Sequence, residues 1–288
     1  MSPVFVGTPA AEEGGSPQDF GTNNHPFTTA RADLFTENTN TTYPYRAAGL
    51  LTFCTLGSCP NGNNAYCSAS LIKRGVIVAA AHCAANYGKS QFYSNWKFYP
   101  AYRGGVAPYG VFGVYYVLVK TAYYNGTDSC AQYGVICPDD VSVMVLTSDI
   151  GNTVGWFGYW YGGGFTSGGL EQITQLGYPG GLDSGQYMER NDSYGYINSS
   201  LSGNTIIGTN MNGGSSGGPW IANFGLPSAL TGETNGSFPQ QNTIIGVTSW
   251  GYTATGPKEA GASPFTANNI QSLLYGTPGA CTYYPGNC

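Results

Sequence analysis

The sequence predicts an all-β protein of two barrels or sandwiches, and three observations carry that expectation. Short apolar runs rich in Val, Ile and aromatic residues recur along the chain, each of strand length. Turn-forming clusters separate them, in a chain of 288 residues with 44 glycines. Helical periodicity shows only at Ala267 to Leu274, where Ile270, Leu273 and Leu274 fall at i, i+3 and i+4.

Residues 1–45 are rich in Pro, Gly, Asn, Thr and acids without sustained periodicity, and read as an irregular arm. Residues 46–150 form the first unit, with strands at Gly49 to Cys54, Cys67 to Leu71, Gly75 to Ala81, Val111 to Lys120 and Val141 to Leu146. Val76 to Ala81 is apolar throughout, as a buried strand is. Tyr87 to Pro108 is aromatic and turn-rich. The pattern breaks at Thr147 to Thr153, which places the join. Residues 151–288 form the second unit. It holds the aromatic run Val154 to Tyr161, then Glu171 to Tyr178, Tyr194 to Asn198, Thr205 to Thr209 and Thr243 to Trp250, and ends in the helix and a cysteine-closed tail.

Charged residues make up 9% of the chain, with ten Lys+Arg and a net charge of −5, so neither a nucleic-acid face nor a basic membrane-surface patch is expected. The 41% hydrophobic and 14% aromatic content argues for a packed protein rather than a disordered one. No apolar run approaches the about 18 residues of a membrane-spanning helix. Met1 to Gly15 lacks the basic start and apolar core of a signal peptide, so an exported form is expected to have lost its signal. Eight cysteines occur without a repeated Cys-x-x-Cys pair, and with only His25 and His82 a zinc site is poorly supported. Disulfides are the better use, which points to a secreted, extracellular or periplasmic protein. Spacing suggests Cys54–Cys59, Cys67–Cys83, Cys130–Cys137 and Cys281–Cys288, each closing a local loop. Asn40, Asn125, Asn191, Asn198 and Asn235 begin N-x-Ser/Thr triplets that matter only in a eukaryotic host.

Chemistry concentrates in Gly213-Gly214-Ser215-Ser216-Gly217-Gly218-Pro219-Trp220. Such a run is either a flexible linker or a sharp bend that exposes a serine hydroxyl beside free backbone amides, as acyl transfer requires. A nucleophile there needs a base. His25 sits in the arm, whereas His82 directly ends the apolar strand beside Cys83, where an imidazole is held in place. A core histidine is the bland alternative. A base also needs a carboxylate on its second nitrogen, and Asp139-Asp140 precede the strand Val141 to Leu146.

At these residues the chain resembles the chymotrypsin-like serine endopeptidases. Cys67 to Cys83 is similar to their histidine loop, Asp140 to Met144 to their aspartate strand, and Gly214 to Pro219 to their nucleophile loop. Ser249-Trp250-Gly251 resembles their substrate-pairing strand, and the order of the four motifs is also theirs. Gly177 to Gly180 and Gly213 to Trp220 look most like the secreted bacterial and fungal branch related to glutamyl endopeptidases. The resemblance spans about residues 48–275. It implies two six-stranded antiparallel β-barrels with the site between them and a short C-terminal helix. It also implies Ser216 as nucleophile, His82 as base, Asp140 (with Asp139 the alternative) as its orienting carboxylate, and the amides of Gly214 and Ser216 as oxyanion hole.

Three departures narrow what carries over. Ser215 stands where trypsin has the aspartate that pairs with a freed N-terminus, so that activation switch is absent. Asn210 stands where trypsin-like pockets carry an aspartate, which leaves a preference for Lys or Arg unsupported. Thr248 stands where glutamyl endopeptidases carry the histidine that reads an acidic side chain. Asn210, Ser249, Trp250, Gly251 and Ser263 are therefore expected to bind substrate in a polar, uncharged pocket. The expected partner is a protein or peptide substrate and the expected state a monomer, with no metal or organic cofactor. The competing reading is a non-catalytic binder of peptide or carbohydrate that uses Trp156 to Tyr161 as a platform; an esterase is a third.

Overall fold

The computed structural model describes residues 25–33, 38–55, 57–60, 62–162, 172–198, 200, 203–225, 240–252 and 258–288. Its first strand, β1 (Phe27–Arg31), lies within the arm, so the arm is not irregular throughout. The pairing that makes it a strand lies far along the chain, where no local pattern could show it.

The first barrel begins with β2 (Ala48–Cys54), β3 (Ala65–Lys73) and β4 (Val76–Ala79). A small ribbon of β5 (Ala85–Asn86) and β6 (Gln91–Phe92) follows, then β7 (Ser94–Pro100), β8 (Phe112–Val119) and β9 (Ser142–Leu146). The barrel closes in the order β2-β3-β4-β9-β8-β7. Inward side chains Leu51, Phe53, Leu71, Ile77, Phe98, Met144 and Leu146 fill it. In β4 and β9 the alternate residues Val76, Val78, Val143 and Val145 point the other way and join Leu176, Ile221, Val247, Phe265 and Leu274 in a core shared with the second barrel. Burial on both faces is why these two segments read as almost continuous apolar runs, with Ser142 the polar exception.

The second half contributes β10 (Gly158–Tyr159), β11 (Gln172–Gly177), β12 (Glu189–Asn198), β13 (Asn204–Gly208), β14 (Pro219–Ala222), β15 (Thr243–Gly251) and β16 (Glu259–Pro264). The path β12-β11-β14-β15-β16-β13 returns to β12 and closes a second six-stranded barrel, with β1 added outside β12 and β10 beside β15. Ile173, Ile207, Trp220 and Ile245 pack inside it. Strands β7, β14 and β16 escaped the sequence reading. The last, EAGASP, has no β-branched or aromatic residue, and it is a strand because both neighbours pair with it and all six residues are buried.

The expected C-terminal helix is a widened turn at Ala267–Gln271 continued by Ser272–Tyr275, with Thr266 and Asn269 closing a reciprocal cap. A further turn of helix, Ala280–Tyr283, carries the chain back to the first barrel. There Gly75 N–H donates to Asn287 O at 2.8 Å, Asn287 Nδ2 donates to Asp149 Oδ1 at 3.0 Å, and the Tyr284 ring meets Tyr115 and Tyr116 edge-on or tilted. The four disulfides join Cys54–Cys59, Cys67–Cys83, Cys130–Cys137 and Cys281–Cys288. Two triplet asparagines are sequestered: Asn40 Nδ2 donates to Ala101 O and Asn191 Nδ2 to Gly208 O, both buried. Residues 1–24 of the arm and Asn235 lie outside the described residues.

Candidate active site

Register brings His82 and Asp140 together. Ala79, the last residue of β4, pairs with Ser142, the first of β9, so the turn after one strand faces the residue before the other. Ser142 Oγ donates to Ala80 O at 3.0 Å and is also 3.2 Å from Ala79 O, fixing that corner. His82 follows in a tight turn, Ala81–Cys83, tied to β3 through Cys67–Cys83. Asp140 is fully buried behind it. Its Oδ1 accepts the His82 backbone N–H at 2.8 Å, while its Oδ2 faces His82 Nδ1 at 2.8 Å and accepts from Ser249 Oγ at 2.6 Å. An ionised carboxylate only accepts, so Nδ1 carries the proton and the Nε2 lone pair is left for a donor.

Asp139 does not share this role. Its amide donates to Asp128 Oδ2 at 3.2 Å, and burial raises its pKa while Lys120 and Asn269 oppose the rise. His25 stacks on Tyr196 with ring centroids 4.9 Å apart, as a packed aromatic rather than a base. Around His82 the strongest influence is burial, which disfavours the imidazolium, but the charge and hydrogen bond of Asp140 outweigh it and raise the pKa above the ordinary 6.5. A neutral base is required for turnover. The acid limb of kcat/KM is therefore expected to fall through an apparent pKa above 6.5; a midpoint below 6 in a pH–rate profile would contradict this geometry.

The loop of Gly213 to Pro219 is held from both barrels. Ser68 N–H donates to Ser216 O at 2.8 Å, and Ser68 Oγ donates to Gly214 O at 2.9 Å while accepting from the Tyr178 amide at 2.9 Å. Gly217 N–H donates to Thr248 O at 2.7 Å. Gly217 has φ +77°, and a Cβ there would lie 2.4 Å from Ser68 O and 2.8 Å from Ala80 N, so only glycine lets the loop press against the first barrel. Among the described residues the amides of Gly214 and Ser216 find no acceptor, and the Ser216 side chain makes no hydrogen bond. Two free N–H groups beside a serine hydroxyl are what an oxyanion needs. Ser215 is buried, and its amide and hydroxyl both donate to Asn212 O, at 3.0 and 2.7 Å.

His82 and Ser216 line one cleft of about 230 Å³, together with Val135, Met211, Asn212, Gly213, Ser215, Thr248, Ser249, Trp250 and Gly251. The expected pocket needs correction at two positions. Asn210 is exposed and outside the cleft, and its place is taken by Met211 and Asn212. Ser263 is fully buried and donates to Cys137 O at 2.6 Å. Ser249 reaches the cleft wall, but its hydroxyl is bound to Asp140, and the Trp250 indole N–H to Asn204 Oδ1 at 2.7 Å. Thr248 Oγ1 accepts from Gln175 Nε2 and Trp220 Nε1 inside the barrel. Among the described residues no Asp, Glu, Lys or Arg lines the cleft.

Val135, Met211 and Ser68 were missed by the sequence reading. Val135 lies in the Cys130–Cys137 loop, braced by the buried Tyr123, whose hydroxyl donates to Gly134 O at 2.7 Å. Cysteines closing a loop just ahead of Asp140 were the available signal for it.

No family model matches the chain. A glutamyl endopeptidase of Bacillus licheniformis is 28% identical over 216 residues, covering 72% of this chain and 60% of that protein. An extracellular metalloprotease of Bacillus subtilis is 28% identical over 203 residues, covering 62% and 60%. The chain thus spans about 60% of the length of these relatives. A thermostable serine protease from an extremophilic microorganism superposes with a TM-score of 0.62 at 22% identity, over 82% of this chain and 97% of the other. The protease Anisep of Arthrobacter nicotinovorans gives 0.60 at 22% identity, over 82% and 96%.

The chain has the chymotrypsin-like serine endopeptidase fold.

Within that fold it is related in sequence to the glutamyl endopeptidases. The name of the second relative raises the question of a metal. Among the described residues, the groups of His, Cys, Asp and Glu close enough to share an ion are Cys67–His82–Cys83 and Asp128–Cys130–Cys137. All four cysteines are joined in disulfides, which leaves no thiolate to ligate.

Proposed function

We propose that the protein is a secreted serine endopeptidase that hydrolyses peptide bonds through an acyl-enzyme. The observation that carries this reading is the buried Asp140 accepting from His82 Nδ1 behind a cleft that His82 shares with Ser216. In this reading Ser216 Oγ attacks the scissile carbonyl as His82 Nε2 takes its proton. The tetrahedral oxyanion is received by the amides of Gly214 and Ser216, each worth about 3–4 kcal/mol in comparable sites. The C–N bond then breaks as His82 passes the proton to the leaving amine, and water attacks the resulting ester by the same route. Disulfides support an oxidising compartment. No helix among the described residues is long and apolar enough to cross a membrane.

The cleft favours an uncharged residue on the acyl side of the cut bond. Met211, Val135 and the Trp250 face supply apolar wall, and Ser249 and Thr248 have their hydroxyls engaged elsewhere. A desolvated charge without a partner binds poorly there. Profiling with a peptide library is expected to give cleavage after neutral residues and at least about tenfold discrimination against Asp, Glu, Lys and Arg; a dominant Glu preference would overturn this part.

The competing reading, a binder without catalysis, rests on Trp156, Trp160 and Tyr161, which are exposed, with the Trp160 and Tyr161 rings stacked 5.9 Å apart. None of these lines the cleft. A peptidyl organophosphonate separates the two: covalent labelling located on Ser216 supports the endopeptidase, and an unlabelled Ser216 supports the binder.

A further inference from the structure

A serine at position 215 leaves the nucleophile loop without a buried charge to anchor it. The structure supplies a different anchor, one that runs through the arm. The loop that follows β11, residues 178–186, packs along the oxyanion segment: Gly180 N–H donates to Gly213 O at 2.7 Å and Gly181 N–H to Asn212 Oδ1 at 2.9 Å. Asn212 O in turn holds both the amide and the hydroxyl of Ser215. The Tyr66 side chain lies across the loop and the segment together; a Cβ built on Gly180 or Gly185 would fall 2.7 or 2.5 Å from its hydroxyl, and one on Gly214 2.6 Å from its ring. Movement of residues 180–185 therefore moves Gly213 and Gly214.

That loop is bent against preference. Asp183, Ser184 and Gly185 take φ of +47°, +54° and +68°, three successive left-handed residues of which only one is glycine. Such a turn persists only where its surroundings hold it. Besides its own backbone bonds and that of Gly104 N–H to Gln186 O, it is held from the arm by Arg31, the last residue of β1, whose Nε and Nη2 both lie 2.7 Å from Asp183 Oδ2 and whose guanidinium stacks 3.9 Å above the Tyr187 ring. Beside it Arg103 pairs with Asp33, two residues further along the arm, and Ala32 N–H donates to Met188 O at 2.7 Å. Glu189, buried opposite Arg31 in the β1–β12 register, has its pKa pushed up to about 7 by burial and by Asp183. The turn thus puts two carboxyls together, and the Arg31 cation offsets them.

We propose that Arg31 and Asp183 are positioning residues for the oxyanion hole, the arm doing by an internal ion pair what trypsin does with a buried chain terminus. The proposal rests on the endopeptidase reading above. It acts through Gly213 and Gly214 and makes no contact with substrate.

The test uses the full chain and three variants, Arg31→Ala, Arg31→Lys and Asp183→Asn, the last retaining a residue that tolerates the left-handed turn. Arg31→Ala is expected to lower kcat about 10- to 100-fold with KM within about twofold, as misplacement of a catalytic group does. Arg31→Lys should recover part of that loss, and Asp183→Asn should lower kcat by less than Arg31→Ala does. Inhibition by a peptidyl boronate, which occupies the oxyanion hole, should weaken in proportion to kcat, while binding of the matching product peptide should not. Hydrogen exchange within 212–216, at the Ser215 amide that Asn212 O holds, is read independently of activity and should speed up in Arg31→Ala while the barrel-core strands stay protected. Unchanged kcat and unchanged exchange at 212–216 would overturn the proposal, as would a kcat loss matched by loss of folded protein. If the wild type hydrolyses nothing but exchange at 212–216 still responds to Arg31→Ala, the coupling stands and the endopeptidase reading falls.

Discussion

Replacing Ser216 with alanine is expected to lower kcat for peptide hydrolysis by about 10⁶-fold, as loss of a triad nucleophile does, and to leave the thermal unfolding transition in place. The first half follows from the chemistry: without the hydroxyl there is no acyl-enzyme, and only substrate binding and the two loop amides are left to act. The second half follows from the contacts. The Ser216 side chain makes no hydrogen bond among the described residues, whereas its carbonyl is held by Ser68 and the next amide by Thr248. Nothing that fixes the loop is removed. Activity within tenfold of the parent would sink the nucleophile assignment; an inactive protein with a much lower Tm would leave the wild-type labelling by organophosphonate to decide it.

Asp140→Asn should cost about 10⁴-fold in kcat, the size seen when a triad carboxylate is neutralised with its shape kept. The asparagine oxygen can take over the His82 backbone N–H at the Oδ1 position. Its amide group then occupies the Oδ2 position, facing His82 Nδ1 and Ser249 Oγ. A donor opposite Nδ1 drives the proton to Nε2, and the imidazole can no longer accept from Ser216. Ser249 adapts by turning its hydroxyl to accept. The fold is expected to survive, and nitrogen NMR of His82 should report the exchanged tautomer. A loss smaller than tenfold with the proton still on Nδ1 would show that the carboxylate's charge matters little here.

How much was legible in the sequence depends on whether a feature is set by neighbours along the chain or by neighbours in space. His82 and Asp140 stood out because each flanks an apolar strand buried on both faces, and Ser216 because its glycine-rich loop fits neither a strand nor a helix. Asp140 was separable from Asp139 only by one residue of register, which the β4–β9 pairing supplies. The local disulfides were legible from spacing. The pocket was legible in part: Ser249, Trp250 and Gly251 line the cleft, whereas Asn210 faces solvent and Ser263 is turned inward to Cys137 O, which neighbours in space decide. β16 and β1 were invisible for the same reason: their pairing partners make them strands, not their own residues.

The two ends of the described chain trade places. Strand β1, near the start, is stitched to the second barrel, while Tyr284 and Asn287, near the finish, are seated on the first. Each half of the polypeptide thus embraces the half it does not belong to. A nick at Thr147 to Gly155, between the barrels, would sever the backbone but leave the halves clasped at both extremities and along their shared core. The nicked enzyme is expected to run as two pieces in denaturant and as one particle without it.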